Sequence, residues 1–123
     1  MKIETAGAIH VENATLDDLG AAFADDAGRG EFIILSRGEY EFIQAGGEGD
    51  GPYAIEYREG DAQYEAAEEL PKQKAALLFL QYYQGDPAFK TACTWKPLKT
   101  KSGRLGLALL CVAFPTLSLL FLS

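Results

Sequence analysis

The sequence predicts an α+β fold: an antiparallel four-stranded meander with two helices on one face, followed by a C-terminal transmembrane helix. Three patterns carry this prediction. Hydrophobic residues recur at every second position through much of residues 31–66, which is typical of strands. They recur at helical spacing in residues 16–27 and 72–83. Finally, residues 105–122 form an uncharged run long enough to cross a bilayer.

The first helix is predicted to begin after Thr15, because a threonine side chain caps the free N–H groups of a helix start. Asp17 and Asp18 follow in the first turn, where the helix dipole favours acids. The glycines of residues 28–30 are expected to end this helix. A short first strand is predicted before it, over residues 8–11.

The meander is predicted from four apolar or alternating segments separated by turn residues. Tyr40 and Phe42 alternate with Glu39 and Glu41, which indicates one apolar face and one acidic face. A glycine-rich segment, residues 45–52, is expected to be a flexible hairpin connection. The predicted strands are residues 31–36, 39–44, 53–58 and 62–66.

The second helix is predicted to begin at Pro71, since proline costs little in the first turn of a helix. Gly85, Asp86 and Pro87 are expected to end it. Residues 89–95 are expected to add a short strand or an extended segment. The face predicted to be buried consists of Ala76, Phe79, Leu80 and Tyr83.

The C-terminal apolar run, residues 105–122, would form a helix about 27 Å long, close to the thickness of a bilayer core. Residues 1–95 are therefore expected to form an acidic α+β domain, residues 96–104 a basic juxtamembrane neck, and residues 105–122 the membrane span. Eighteen residues are at the lower limit for a span, so a buried C-terminal core helix is the alternative.

The neck determines the expected orientation. Its four basic residues are Lys96, Lys99, Lys101 and Arg104. Because positive residues flanking a span stay in the cytoplasm, we expect a single-pass protein of the inner, cytoplasmic membrane with its N-terminal domain in the cytoplasm.

The distribution of charge excludes some partners. Residues 1–94 hold 18 acidic and 7 basic residues, a net charge of −11. Such a domain is expected to bind no nucleic acid. The chain has one histidine, His10, and two cysteines, Cys93 and Cys111, which suits neither a metal cluster nor a disulfide framework. We therefore predict no cofactor and no metal.

Two features of the chain invite a catalytic interpretation. The loop GGEGDG has neither the glycine spacing nor the lysine of a phosphate-binding loop. Paired carboxylates suit acid–base work, but alternation with aromatic residues places most of them on a solvated strand face. We predict no catalytic residues and no enzyme, with a hydrolase using paired acids as the least favoured hypothesis. A partner-binding surface is predicted instead at Glu39, Glu41, Glu56 and Glu65.

The order of elements carries a resemblance. A helix at residues 73–83 is followed by Gly85-Asp86-Pro87 and then by Trp95 and Pro97. Over residues 10–98 this arrangement resembles the small immunity proteins of bacterial polymorphic and contact-dependent toxin systems. The resemblance implies a protein that binds and blocks a cognate toxin and is not an enzyme. The apolar tail departs from the usual members and fits a toxin acting at the inner membrane.

Two hypotheses follow from the sequence. In the first, the protein is a membrane-tethered, non-catalytic binding module of immunity type. Its acidic face would cover a basic surface of a protein partner, and its C-terminal helix would insert into the lipid bilayer. In the second, it is a small structural or regulatory membrane subunit whose span binds a partner helix.

Overall fold

A computed structural model describes residues 1–98 of the chain. The predicted span, together with Lys99, Lys101 and Arg104, lies outside these residues. None of the helices within residues 1–98 has the length and apolar character needed to cross a membrane. The elements are β1 (Lys2–Thr5), β2 (His10–Val11), α1 (Leu16–Ala24), α2 (Asp26–Arg29), β3 (Phe32–Gly38), β4 (Glu41–Gly46), β5 (Ala54–Glu59), β6 (Ala62–Ala66), α3 (Lys72–Tyr83), a 3₁₀ turn (Pro87–Lys90) and β7 (Trp95–Leu98).

The strands form one antiparallel sheet in the order β2-β1-β3-β4-β5-β6-β7. The predicted α+β class is confirmed. The predicted four-stranded meander is present as β3–β6, but it is the middle of a sheet of seven described strands. β1, which was not predicted, pairs with β3; β2 pairs with β1, and β7 pairs with β6.

The added strands are too short to show a clear period. In β1 only Ile3 is strongly apolar, and it is fully buried beside Leu35 of β3. β2 has two residues, inside the segment predicted as a first strand. β7 holds Pro97, which an edge strand accommodates because no further strand needs its N–H group. β7 also includes Lys96, so the domain extends to Leu98 and Lys96 belongs to the sheet.

The start of α1 confirms the predicted cap. The Thr15 hydroxyl accepts a hydrogen bond from the Asp18 N–H group (3.2 Å), and the Asp18 carboxylate accepts one from the Thr15 N–H group (2.8 Å). The helix ends three residues earlier than predicted, at Ala24. Asp25 then caps the one-turn helix α2 by accepting a hydrogen bond from the Gly28 N–H group (2.9 Å). One predicted helix is therefore two.

Helices α1 and α3 cover one face of the sheet, here called the helix-covered face. Its core includes Ile43 and Ile55 of the sheet, with Phe23 and Phe79 of the helices in edge-to-face contact at 5.0 Å. The buried residues of α3 are Ala75, Leu78, Phe79 and Tyr82. Of the four residues predicted to be buried, only Phe79 belongs to this set, and Leu80 is exposed.

The opposite face of the sheet is here called the second face. Strand alternation and the register of the ladders place a mixed set of side chains on it. Its centre holds Phe32, Ile34, Phe42, Gln44, Glu56, Arg58 and Gln63, and further side chains on it are Lys2, Glu4, Glu65, Lys96 and Leu98. Phe32 packs with Ile34 in a small apolar cluster separate from the main core.

Trp95, the tryptophan of the sequence pattern described above, packs β7 onto the domain. The Trp95 ring contacts the Tyr57 ring edge-to-face at 4.6 Å, and its indole N–H donates to the Phe89 carbonyl at 3.1 Å. Tyr57 also stacks on Tyr64 of β6 at 5.0 Å. Trp95 therefore has a structural role within residues 1–98.

Candidate interaction surfaces

The four glutamates predicted to bind a partner do not share one face. Glu39 lies in the turn between β3 and β4, and Glu41 lies on the helix-covered side of β4. Glu56 and Glu65 are cross-strand neighbours on the second face. The structure therefore divides the predicted set into two pairs.

The phase of β4 accounts for this division. The sequence pattern placed Tyr40 and Phe42 on the core side, whereas Ile43 and Ala45 occupy the core and Phe42 lies on the second face. Both phases of this strand contain apolar residues, and shifting the phase by one residue exchanges the faces. Glu41 therefore lies on the side opposite to Glu56.

Exposed acids converge where two turns of the sheet adjoin. This acidic end consists of Glu39, Glu41, Glu59 and Asp61. Glu41 and Glu59 are cross-strand partners, and the Gly60 N–H group donates to the Tyr40 carbonyl at 2.8 Å, which joins the two turns.

A buried arginine connects the two turns at this end of the sheet. The Arg58 guanidinium lies 4.7 Å from the Tyr40 ring centre and donates to the Gly60 carbonyl at 2.7 Å. Arg58 therefore links the side chain of one turn to the backbone of the other. Burial raises the pKa of Tyr82 to about 12; the nearby Arg37 lowers it, and the carboxylates of Glu41 and Glu59 raise it.

Glu56 differs from these exposed acids because it is buried. The Gln63 side-chain amide donates to its carboxyl oxygen at 2.7 Å. Burial raises the pKa of Glu56 to about 8 despite this hydrogen bond, and the neighbouring Glu65 raises it further. The expectation of a solvated, charged Glu56 is therefore wrong. Near neutral pH this side chain carries little charge and contributes little to steering a partner.

The glycine-rich loop connects β4 to β5 as the predicted hairpin, and hydrogen bonds fasten it to the domain. The Tyr53 hydroxyl and the Arg29 guanidinium both donate to the Gly49 carbonyl. Lys72 donates its N–H group to the Asp50 carbonyl at 3.0 Å. At Gly47 (φ +155°) a Cβ atom would lie 2.6 Å from the Pro52 carbonyl oxygen, so the loop needs glycine there.

Arg29 organises this end of the domain, and sequence reasoning missed it. Its side chain is fully buried and donates to the carbonyls of Ala22 and Phe23, to the Gly49 carbonyl and to the Asp26 carboxylate. Hydrogen bonds from Lys72 and then from Arg29 lower the pKa of Asp26. The position before Gly30 gave no sign of burial, because arginine there resembles an ordinary basic residue at a helix end.

An apolar groove runs between α1 and α3. Leu16, Gly20, Ala76 and Leu80 line it, and both leucines are exposed. It is the place where the predicted and observed faces of α3 differ, because Ala76 and Leu80 were expected in the core.

Metal ligands are not assembled in the described part of the chain. No group of three or more histidine, cysteine or acidic side chains within residues 1–98 is arranged to hold an ion. His10 is exposed, 3.7 Å from the Glu12 carboxylate. Cys93 is a free thiol whose pKa is raised by burial.

No family model, curated protein or solved structure matches this chain. The resemblance to immunity proteins stays an interpretation of the sequence, carried by residues 73–83, the Gly85-Asp86-Pro87 stop and Trp95. The acidic end and the second face are therefore the features from which function has to be inferred.

Proposed function

We propose that this protein is a non-catalytic binding module of immunity type, tethered to the membrane, that binds and neutralises a toxin through the acidic end. The observation that supports it is the convergence of four exposed carboxylates, from Glu39 to Asp61, in two adjoining turns. A basic surface is the complementary partner.

Electrostatics favours this end over the rest of the sheet. Glu39 and Asp61 are exposed and lie on turns held by the hydrogen bond from Gly60 to Tyr40, so little ordering is needed on binding. The ion pair from Lys90 to Glu59 (2.8 Å) offsets one of the charges. The net charge of −11 over residues 1–94 adds long-range attraction for a basic partner.

The membrane tether in this proposal is residues 105–122. In the bilayer they would place the acidic domain on the cytoplasmic face of the inner membrane, with Lys99, Lys101 and Arg104 near the lipid headgroups. Support for the tether comes from the apolar sequence and the basic residues before it.

The proposal expects a toxin-like reading frame beside this gene, and the test is a growth assay with the domain that this frame encodes. Cells that produce this domain should survive when the protein is co-expressed. The double variant Glu39→Lys/Glu41→Lys should lose most of this protection, because it reverses two charges at the acidic end. The association rate measured with purified proteins should fall and become less dependent on salt.

A matched control reverses the same number of charges elsewhere. Glu68 and Glu69 are exposed and lie after β6, at the other end of the sheet. Glu68→Lys/Glu69→Lys should protect like the parent protein. Equal protection by both double variants would contradict a role of the acidic end. Loss of protection on replacing residues 105–122 by an unrelated span would favour the membrane-subunit hypothesis.

A further inference from the structure

The centre of the second face is nearly inaccessible to solvent, although the described helices pack on the other face. Relative exposures are 8% for Phe32, 6% for Phe42, 1% for Gln44, 2% for Glu56 and 2% for Gln63. Towards its edges, Glu4 and Lys96 are more accessible. The buried residues of α1 and α3 belong to the core of the helix-covered face. Residues 1–98 therefore provide no helix that accounts for this burial.

The chemistry of the second face suits an apolar cover. Phe32, Ile34 and Phe42 lie on it beside the polar pair Glu56–Gln63. A sheet face in contact with water carries solvated polar side chains along its whole length. Here the carboxyl of Glu56 is in a desolvated site, as expected under an apolar layer.

The described residues end at a position from which the following segment of the chain can reach the second face. Leu98 ends the edge strand β7 opposite Gln63, so its side chain belongs to the second face. Residues 99–104 can span about 20 Å when extended, and the distance from β7 to β4 is about 14 Å at the usual strand spacing. The chain can therefore return over the middle of this face.

The apolar run is long enough to cross the buried centre of this face. As a helix, residues 105–122 measure about 27 Å, while the three strand spacings from β3 to β6 measure about 14 Å. Every side of such a helix is apolar or small, so it can pack on the sheet in any rotation.

We propose that residues 105–122 dock on the second face of the sheet when no membrane is present. The docked segment closes the core of the domain from this side and shields its own apolar surface from water. The bilayer and the second face then compete for the same segment. This inference does not depend on toxin binding, because the acidic end lies in the turns and outside this face.

Cross-linking within the chain tests the proposal. The full chain with Cys93→Ser keeps one native thiol, Cys111, in the middle of the apolar run. A second thiol is added on the second face by Gln44→Cys or Glu65→Cys, and on the exposed helix side by Ala21→Cys or Gln73→Cys as controls. A short bis-maleimide is applied without detergent, and near-ultraviolet circular dichroism checks that each variant is folded.

The expected result is an intramolecular adduct for the two second-face variants and none for the two helix-side variants. Adding anionic phospholipid vesicles should remove that adduct. If the adduct persists in vesicles, docking stands and the membrane tether of the proposed function fails. An adduct only on the helix side, adducts only between two molecules, or no adduct in any folded variant would overturn the proposal.

Discussion

The two faces of the sheet are buried in different ways. On the helix-covered face, Ile43 and Tyr57 of the sheet belong to one mainly apolar core with Leu78 and Phe79 of α3. On the second face, Glu56 and Gln63 are buried together with apolar neighbours, and the Gln44 side-chain amide is buried beside the Glu56 carboxyl.

This difference separates two kinds of stabilisation. The helix-covered face gains free energy from apolar contacts that residues 1–98 supply by themselves. The second face holds polar groups whose burial costs free energy, in particular at Glu56 and Gln44. Such groups stay buried only if the apolar contacts around them offset this unfavourable free energy.

The largest expected effect concerns the helix-covered face. Phe79→Ala should lower the free energy of unfolding by about 3–5 kcal/mol, because it leaves a cavity between α1, α3 and the sheet. Chemical denaturation measures this loss. Leu77→Ala, on the exposed side of the same helix, should cost at most about 0.5 kcal/mol. Similar losses for both variants would contradict the orientation of α3.

The second expected effect concerns pH and the second face. The folded protein holds the Glu56 proton up to about pH 8, whereas the unfolded chain releases it near the ordinary glutamate pKa. The folded state therefore binds more protons between about pH 5 and pH 8, and the free energy of unfolding falls as pH rises. The slope from this group is at most about 1.4 kcal/mol per pH unit.

Glu56→Gln should flatten this pH dependence and stabilise the protein at pH 8, since glutamine has no charge to bury. Glu65, Arg58 and Lys96 are the other charged side chains near Glu56 on this face. Glu65→Gln is the matched control and should leave most of the slope in place. Denaturation curves at several pH values give the measurement; an unchanged slope in Glu56→Gln would show that Glu56 is ionised and solvated.

The smallest expected effect is at the start of α1. Thr15→Ala removes the capping hydroxyl and should cost about 1 kcal/mol. Thr91→Ala, at an exposed threonine whose hydroxyl bonds only its local turn, should cost less. Denaturation of both variants side by side makes this comparison, and equal costs would argue against the cap.

Much of the fold follows from local patterns in the sequence. The meander and α3 were predictable because their patterns extend over five or more residues and end at turn residues such as Gly60 and Gly85. The cap at Thr15 was predictable because it depends on neighbouring residues only. The outer strands depend on pairing across the sheet, and β1, with Ile3 as its one strongly apolar residue, leaves no period to read.

The candidate site was predictable only in part, for a physical reason. Glu39 and Glu41 were identified because they alternate with aromatic residues, although this pattern assigned Glu41 to the wrong face of the sheet. Glu59 and Asp61 join them through the Gly60–Tyr40 hydrogen bond, a tertiary contact that the sequence does not display. A buried glutamate such as Glu56 looks the same in sequence as a solvated one, since only tertiary cover distinguishes them.

The most direct test of the covered second face is thiol labelling at its centre. The full chain with Cys93→Ser and Cys111→Ser receives one new thiol, by Gln44→Cys, and its labelling rate is compared with that of Ala21→Cys in detergent-free buffer. The account predicts slow labelling at position 44, and fast labelling there once residues 105–123 are removed. Labelling at position 44 in the folded full chain as fast as at position 21 would contradict it.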